Sequence, residues 1–319
     1  MLFPIKLYNP YRLKTLSQFK NIVQKFYINT ANQKSMVLES LVSPFKVKHK
    51  PWITLIIGFL YALIAVFLGN WIFKEYASLL IVFLTVAAAI PFMYITIKYE
   101  EQIAAKNKER ITAVKEHAPA LAAFVFLFIG FVLAYVVCYC LLPLDVVQRS
   151  FHVQTLTIQA INSKITASTS AKMIAFKTIL FNNLKVLLFC IIFSFLYGAG
   201  AIFILAWNAS VVATAIGNFI RTKLSYIASL AHAPSVAAYF QIVSIGLLRY
   251  LTHGIFEITS YFIAGLAGGL ISVAMIRESI YTKRFSTTML DAANLLIIAI
   301  LILILAAFIE VWITPALFH

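Results

Sequence analysis

Charged side chains are scarce in this 319-residue chain: they make up 12% of it and gather in a few stretches between long apolar runs. A soluble domain of ordinary composition carries about a quarter of its residues charged, so a freely soluble globular domain is excluded. Cysteine is scarcer still. Cys138, Cys140 and Cys190 all lie inside apolar runs with no metal-ligand spacing, which argues against a disulfide framework and reads as small packing residues. No Walker phosphate loop, dinucleotide-binding glycine fingerprint, GxSxG elbow, EF-hand loop or HExxH zinc motif is present. The stretches between the apolar runs are too short to house an ATPase domain, so any coupling to ATP needs a separate subunit. No catalytic residue, metal or cofactor is expected.

What is abundant is apolar surface. Hydrophobic residues make up 62% of the chain, and the mean hydropathy is +0.92. Soluble domains hold roughly 45–50% apolar residues, so lipid must solvate much of this chain. The formal charge of +15 does not mark a nucleic-acid binder, because the basic residues flank apolar runs and form no basic helix interleaved with aromatics. The bias of Lys and Arg toward cytoplasmic loops, with attraction to anionic headgroups, accounts for it. These features predict an all-α, polytopic transmembrane helix bundle in the cell membrane.

Residues 1–50 carry Lys6, Arg12, Lys14, Lys20, Lys25, Lys34, Lys46, Lys48 and Lys50 against one acid, Glu39, and are predicted to be a basic cytoplasmic N-terminal segment. Apolar residues alternate with the basic ones there, as in a surface-lying amphipathic helix or short helices packed on the bundle. The transmembrane domain is expected over 51–319. Apolar runs at 52–73, 77–97 and 120–142 each approach the roughly twenty residues needed to cross the hydrocarbon core. The mixed-charge stretch 98–117 suits a solvated cytoplasmic helix. After Pro143 comes an outer-face connection, about 143–183, in which Phe151, Leu156, Ile158, Ile161 and Ile165 recur at near-helical spacing. That pattern predicts an amphipathic helix covering the bundle.

Further on, 184–207 reads as a span, 209–220 as a run too short to cross, and 235–252 as one of borderline length. The short runs are expected to be one or two re-entrant or broken helices. The runs 255–276 and 293–313 bracket a loop with Arg277, Lys283 and Arg284, predicted cytoplasmic. The total is about six or seven spans, seven if 235–252 crosses.

Polar groups inside apolar segments are costly and so are the first places to look for function. They are Asn182, Asn183, Lys185, Asn208, Asn218, Arg249, His253 and Glu257. His253 and Glu257, four apart, share one face of a helix, and Gly254 between them permits a break or a close approach. An imidazole beside a carboxyl can relay protons or bind an ion. The same pair, with Arg249 four residues earlier, equally makes a polar clamp between helices or an ion pair from Arg249 to Glu257. One His and one Glu fall short of the three protein ligands of a catalytic zinc. Asn182 and Asn183 are expected at the entrance of a span, as capping amides, with Asn208 at the start of the next run. Gly265 with Gly269, and Gly268 with Ala264, form small-xxx-small pairs, and Gly198 and Gly200 extend the set. These faces pack within one chain or between two, and a homodimer is one of the readings.

Three segments, MVLESLVSPFKVKHKPW, FNNLKVLLFCIIFSFLYGAGAIFILAWNAS and HGIFEITSYFIAGLAGG, resemble the stage II sporulation protein M family, in its archaeal branch. The likeness covers roughly 36–313, and its most specific element is His253, Gly254 and Glu257. The chain departs from the family pattern at Thr252, where Pro is usual, and at Ala209, where Gly often follows the Asn. In sporulating bacteria the resemblance implies a membrane scaffold that holds cell-wall hydrolases. It implies more distantly a likeness to the membrane subunits of ATP-binding-cassette exporters, whose ATPase is a separate chain. Two readings of function follow: a non-enzymatic membrane scaffold or membrane-remodelling component, and a permease-like subunit with an intramembrane polar site.

Overall fold

The computed structural model describes residues 51–106, 113–162, 171–197, 201–229, 235–277 and 281–318. The expectations for 1–50, Gly198 and Gly200 fall outside them. The chain divides into two units, of which the first, Met1–Val42, is also outside; all the helices below belong to the second, Ser43–His319.

The described residues hold no strand. Helix α1 (Ile53–Ile72) is joined by a 3-10 turn to α2 (Ala77–Lys106), and α3 (Ala113–Leu141) follows. Two short helices come next, α4 (Leu144–Ser150) and α5 (His152–Asn162), and then α6 (Ala171–Tyr197), α7 (Ala201–Ser229) and α8 (Val236–Arg277). Helix α9 (Lys283–Phe308) runs into a π turn, Ile309–Ile313, and a last turn of helix, α10 (Thr314–Leu317). Among the described residues, seven helices are long and apolar enough to cross a membrane, over residues 53–72, 74–92, 121–141, 172–195, 201–229, 236–276 and 285–317.

Without a hydrophobic drive between lipid-solvated helices, close packing and polar bonds must hold them. Helices α1 and α3 meet at Gly58 and Gly130, where an added Cβ would collide with the carbonyl oxygens of Leu127 and Leu55. Thr54 Oγ1 donates to the Ala123 carbonyl at 2.7 Å beside this contact. Thr85 of α2 and Tyr135 of α3 bond through their hydroxyls at 2.7 Å. Helix α7 lies on α3, with Gly217 against the Tyr139 ring. The stacked rings of Phe124 and Phe262, 5.0 Å apart, join α3 to α8.

Several spans differ from the expected ones. The run 184–207 is the end of α6 and the start of α7; α6 begins thirteen residues earlier, at Ala171. Lys172, Lys177, Asn182, Asn183 and Lys185 dilute its hydropathy without disturbing its backbone bonds. The segment 209–220 is neither short nor re-entrant but lies inside the 29 residues of α7. The runs 235–252 and 255–276 are one unbroken helix of 42 residues, α8. Gly254 does not break it, and a Cβ there would meet nothing within 4 Å. The count of seven holds, because α7 gains the crossing that the merged runs lose.

The described parts of the connection after Pro143 are helical, with their amphipathic sense partly reversed. Phe151 is buried against Tyr135 and Tyr139. Gln154 is buried completely, while Leu156 is exposed. The Gln154 Nε2 donates to the Ser78 carbonyl at 2.9 Å and to Ser210 Oγ at 3.2 Å, so the buried amide ties α5 to α2 and α7. Ile165 lies outside the described residues.

Candidate functional site

The unbroken α8 puts Arg249, His253 and Glu257 on successive turns, and the packing of α6 and the π turn against it decides what each meets. Asn183, buried in the middle of α6, donates its Nδ2 to Glu257 Oε1 at 2.5 Å. Glu310, in the π turn, belongs to the same cluster and interacts electrostatically with Glu257. His253 lies with Nε2 4.0 Å from Glu310 Oε1, an electrostatic contact longer than a hydrogen bond. Its Nδ1 is 3.4 Å from Thr314 Oγ1. Thus α6, α8 and the end of α9 meet at a line of groups running Asn183, Glu257, Glu310, His253, Thr314.

The sequence explains the geometry of Glu310. Pro315 has no N–H and its ring crowds the carbonyl four residues back, at Val311. The preceding turn widens instead, and the Thr314 N–H bonds to the Ile309 carbonyl, five residues back. Such π turns cluster at functional sites because they re-aim a side chain. Trp312, stacked on Phe308 at 5.0 Å and tilted against Phe176 of α6 at 5.4 Å, holds the turn in place. One turn of α8 from Glu257, Ser260 Oγ donates to the Ala299 carbonyl of α9 at 2.7 Å.

Arg249 stands apart from the carboxyls. It is eight residues from Glu257, about 12 Å along the helix, and its guanidinium lies over the Phe219 ring of α7, 5.9 Å from the centroid. Glu257 has Asn183 and Glu310 in place of the expected Arg249. The amides are also placed differently from the expectation. Asn182 and Asn183 are in the middle of α6, too far from its start to cap it, and Asn182 is exposed. Asn208 is inside α7 and returns its Nδ2 to the Ile204 carbonyl of its own helix at 2.7 Å.

Two of the glycines are contacts within the chain. Gly268 passes the Ile191 carbonyl of α6, 2.6 Å from where a Cβ would sit, and Gly265 faces Ala201 and Ser194. Gly254 and Gly269 have nothing within 4 Å of such a Cβ. Among the described residues, no three His, Cys, Asp or Glu side chains are placed to hold a metal ion.

Sequence reasoning missed Glu310 and Thr314. The signal was there: Glu310 is an acid in the run AILILILAAFIEVWI, and the rule that singled out Glu257 applies to it equally. Arg221 was also missed; it bonds to the Leu142 carbonyl and so satisfies the carboxyl end of α3.

A family model described as stage II sporulation protein M matches residues 122–315, which include every residue of this cluster. An uncharacterized protein of Methanocaldococcus jannaschii is 31% identical over 143 residues, 44% of this chain and 71% of that one. No solved structure matches.

Proposed function

The chain belongs to the stage II sporulation protein M family, and from that premise we propose that it is a non-enzymatic scaffold of the cell membrane, assembling partner proteins or remodelling the bilayer. The observation that carries this reading is α8. A helix of 42 residues is about 63 Å long, twice the roughly 30 Å of hydrocarbon it has to cross. No ordinary tilt absorbs the difference, so a rigid end of α8 projects beyond the membrane core. Near the amino end of α8 and the carboxyl end of α7, Val236, Tyr239, Phe240 and Tyr226 are exposed, an apolar surface suited to a second membrane protein or to the headgroup region.

In this reading the N-terminus is cytoplasmic, on the strength of its Lys and Arg excess. Partners are protein and lipid, with self-association through Gly254 and Gly269 as one form of assembly. A photo-crosslinking residue at Phe240, compared with one at Leu301 on α9, tests it in native membranes. Discrete protein adducts at Phe240 alone support a scaffold; lipid adducts at both positions refute it.

A second reading, a permease-like subunit working with a separate ATPase, is favoured by the carboxyl pair beside His253, since membrane transporters place ionisable groups where solutes and protons pass. Solute or proton movement in proteoliposomes that is lost in Glu257→Gln would establish it. Equal movement in the parent and the variant would remove the cluster from any pathway.

A further inference from the structure

We propose that Lys223 of α7 and Arg249 of α8 hold the phosphate of an anionic phospholipid, in the headgroup layer on the side of the membrane where α3 ends. The inference goes beyond the scaffold reading and requires only that the bundle spans a bilayer.

Several helices agree on where that layer lies. Trp52, just before α1, and Trp71, near its end, are both exposed. They are 19 residues apart, about 28 Å along a helix, close to the roughly 30 Å of the hydrocarbon core. Tryptophan collects at the two membrane interfaces, so these residues mark the two boundaries. Helix α3 runs beside α1 in the same direction, since Thr54 meets Ala123 and Gly58 meets Leu127. Leu142, at the end of α3, therefore stands at the level of Trp71. Arg221 bonds to the Leu142 carbonyl and carries the same level across to α7. Lys223 is two residues beyond Arg221, and exposed Tyr226 follows it, an amphipathic ring of the kind found among headgroups.

Helix α8 reaches this level at Gly246, where an added Cβ would be 3.2 Å from the Phe219 ring. Arg249 is one turn further on, but helical side chains lean toward the amino end of their helix, which brings its guanidinium back to that ring. Both cations converge on it: the Lys223 ammonium and the Arg249 guanidinium are each 5.9 Å from the Phe219 centroid.

No carboxylate answers these charges. Between Asp145 and Glu257 the sequence has no acidic residue and eight Lys and Arg. At the same level Asp145 is taken by Arg149, at 3.1 Å, and Arg221 is taken by carbonyls of α3. Among the described residues, neither Lys223 nor Arg249 has an ion pair. A ring face answers a full charge only weakly, whereas the layer these groups occupy is rich in phosphate. The planar fork of Arg249 suits two phosphate oxygens, and Lys223 adds a mobile point charge. Two cations without an acid favour a lipid of net negative charge over a zwitterionic one, whose own ammonium competes for the phosphate.

Native mass spectrometry of the full chain, released from micelles holding equal amounts of phosphatidylglycerol and phosphatidylcholine, tests the proposal. The parent is expected to retain phosphatidylglycerol about five-fold more often than phosphatidylcholine, and Lys223→Gln/Arg249→Gln to bring that ratio to about one. Lys172→Gln/Lys177→Gln, which removes as much charge from the exposed part of α6, is expected to keep the preference. No preference in the parent, or a preference kept in the Lys223/Arg249 variant, overturns the site. Equal loss in the Lys172/Lys177 variant would mean general attraction to a basic chain, and removal of the adduct by millimolar inorganic phosphate would mean a site for a soluble anion; either overturns it. Because the variant could fail to fold, the unmodified chain is also labelled in phosphatidylcholine nanodiscs by phosphatidylglycerol with a photoreactive headgroup. Adducts within 219–226 or 245–252 support the site, and adducts only elsewhere overturn it. None of these outcomes depends on a protein partner, so this proposal and the scaffold reading can fail separately.

Discussion

Helices α1–α5 and helices α6–α10 solve the problem of holding together in lipid with different chemistry. In the first group the interhelical bonds are neutral: Thr54 to a carbonyl of α3, Thr85 to Tyr135, Asn70 Nδ2 to Ser150 Oγ at 2.8 Å, and Gln154 to Ser78 and Ser210. Close backbone contacts at Gly58 and Gly130 complete it. In the second group the same task falls partly to Glu257, Glu310 and His253. Neutral bonds in the membrane are worth about 1 kcal/mol each and cost little to keep. Ionisable groups are expensive there and add nothing a hydroxyl could not provide structurally. The contrast marks the first group as a neutral framework and sets the ionisable cluster apart from it.

The largest effect should come from breaking the framework. Gly130→Leu puts a side chain into the Leu55 backbone and is expected to cost about 3 kcal/mol or more, seen as loss of monodisperse protein or a steep fall in thermal midpoint. A midpoint near the parent's would mean that α1 and α3 can separate at little cost.

Next is Asn183→Leu, which leaves the Glu257 oxygen without its donor and should cost about 2 kcal/mol; unchanged melting would show that the amide is dispensable. Glu310→Leu alone should destabilise by a similar amount, about 2 kcal/mol, by leaving Glu257 a partner short. Adding Glu257→Leu should recover most of that loss, because an apolar pair needs no partner. If the double variant is instead as unstable as the sum of the two singles, the acids are not a coupled pair, and the contrast between the two halves fails.

Thr54→Val removes one neutral bond and is expected to cost about 1 kcal/mol, measured in the same melts. Leu301→Ala, on the exposed face of α9, should stay within about 0.5 kcal/mol. A larger loss there would mean that Leu301 faces protein.

The spans were largely readable from sequence because about twenty apolar residues in a row have few other uses. What hid the start of α6 was Lys172, Lys177, Asn182 and Asn183, which lower hydropathy in a helix whose backbone bonds do not depend on them. Gly254 invited a break that nothing in its surroundings enforces. In the cluster, His253 and Glu257 were legible from their spacing within one helix. That Asn183 and Glu310 meet them was not, since spacing along one helix says nothing of what another brings to it. Arg249 misled for the opposite reason: membership of the same face does not close 12 Å of rise. The reversed burial of Gln154 and Leu156 was out of reach because hydrophobic patterning assumes water outside and oil inside, and here the outside is oil.

The continuity of α8 also has a mechanical meaning. From Glu257 to Val236 is 21 residues of uninterrupted helix, about 32 Å, and a rod of that length amplifies what happens at its fulcrum. A tilt of only about 5° at the carboxyl pair carries the far end through about 3 Å, comparable to the helix shifts that switch subunit interfaces elsewhere. A hinge at Gly254 would have absorbed such a motion; a straight helix delivers it to whatever rests against Val236 and Phe240.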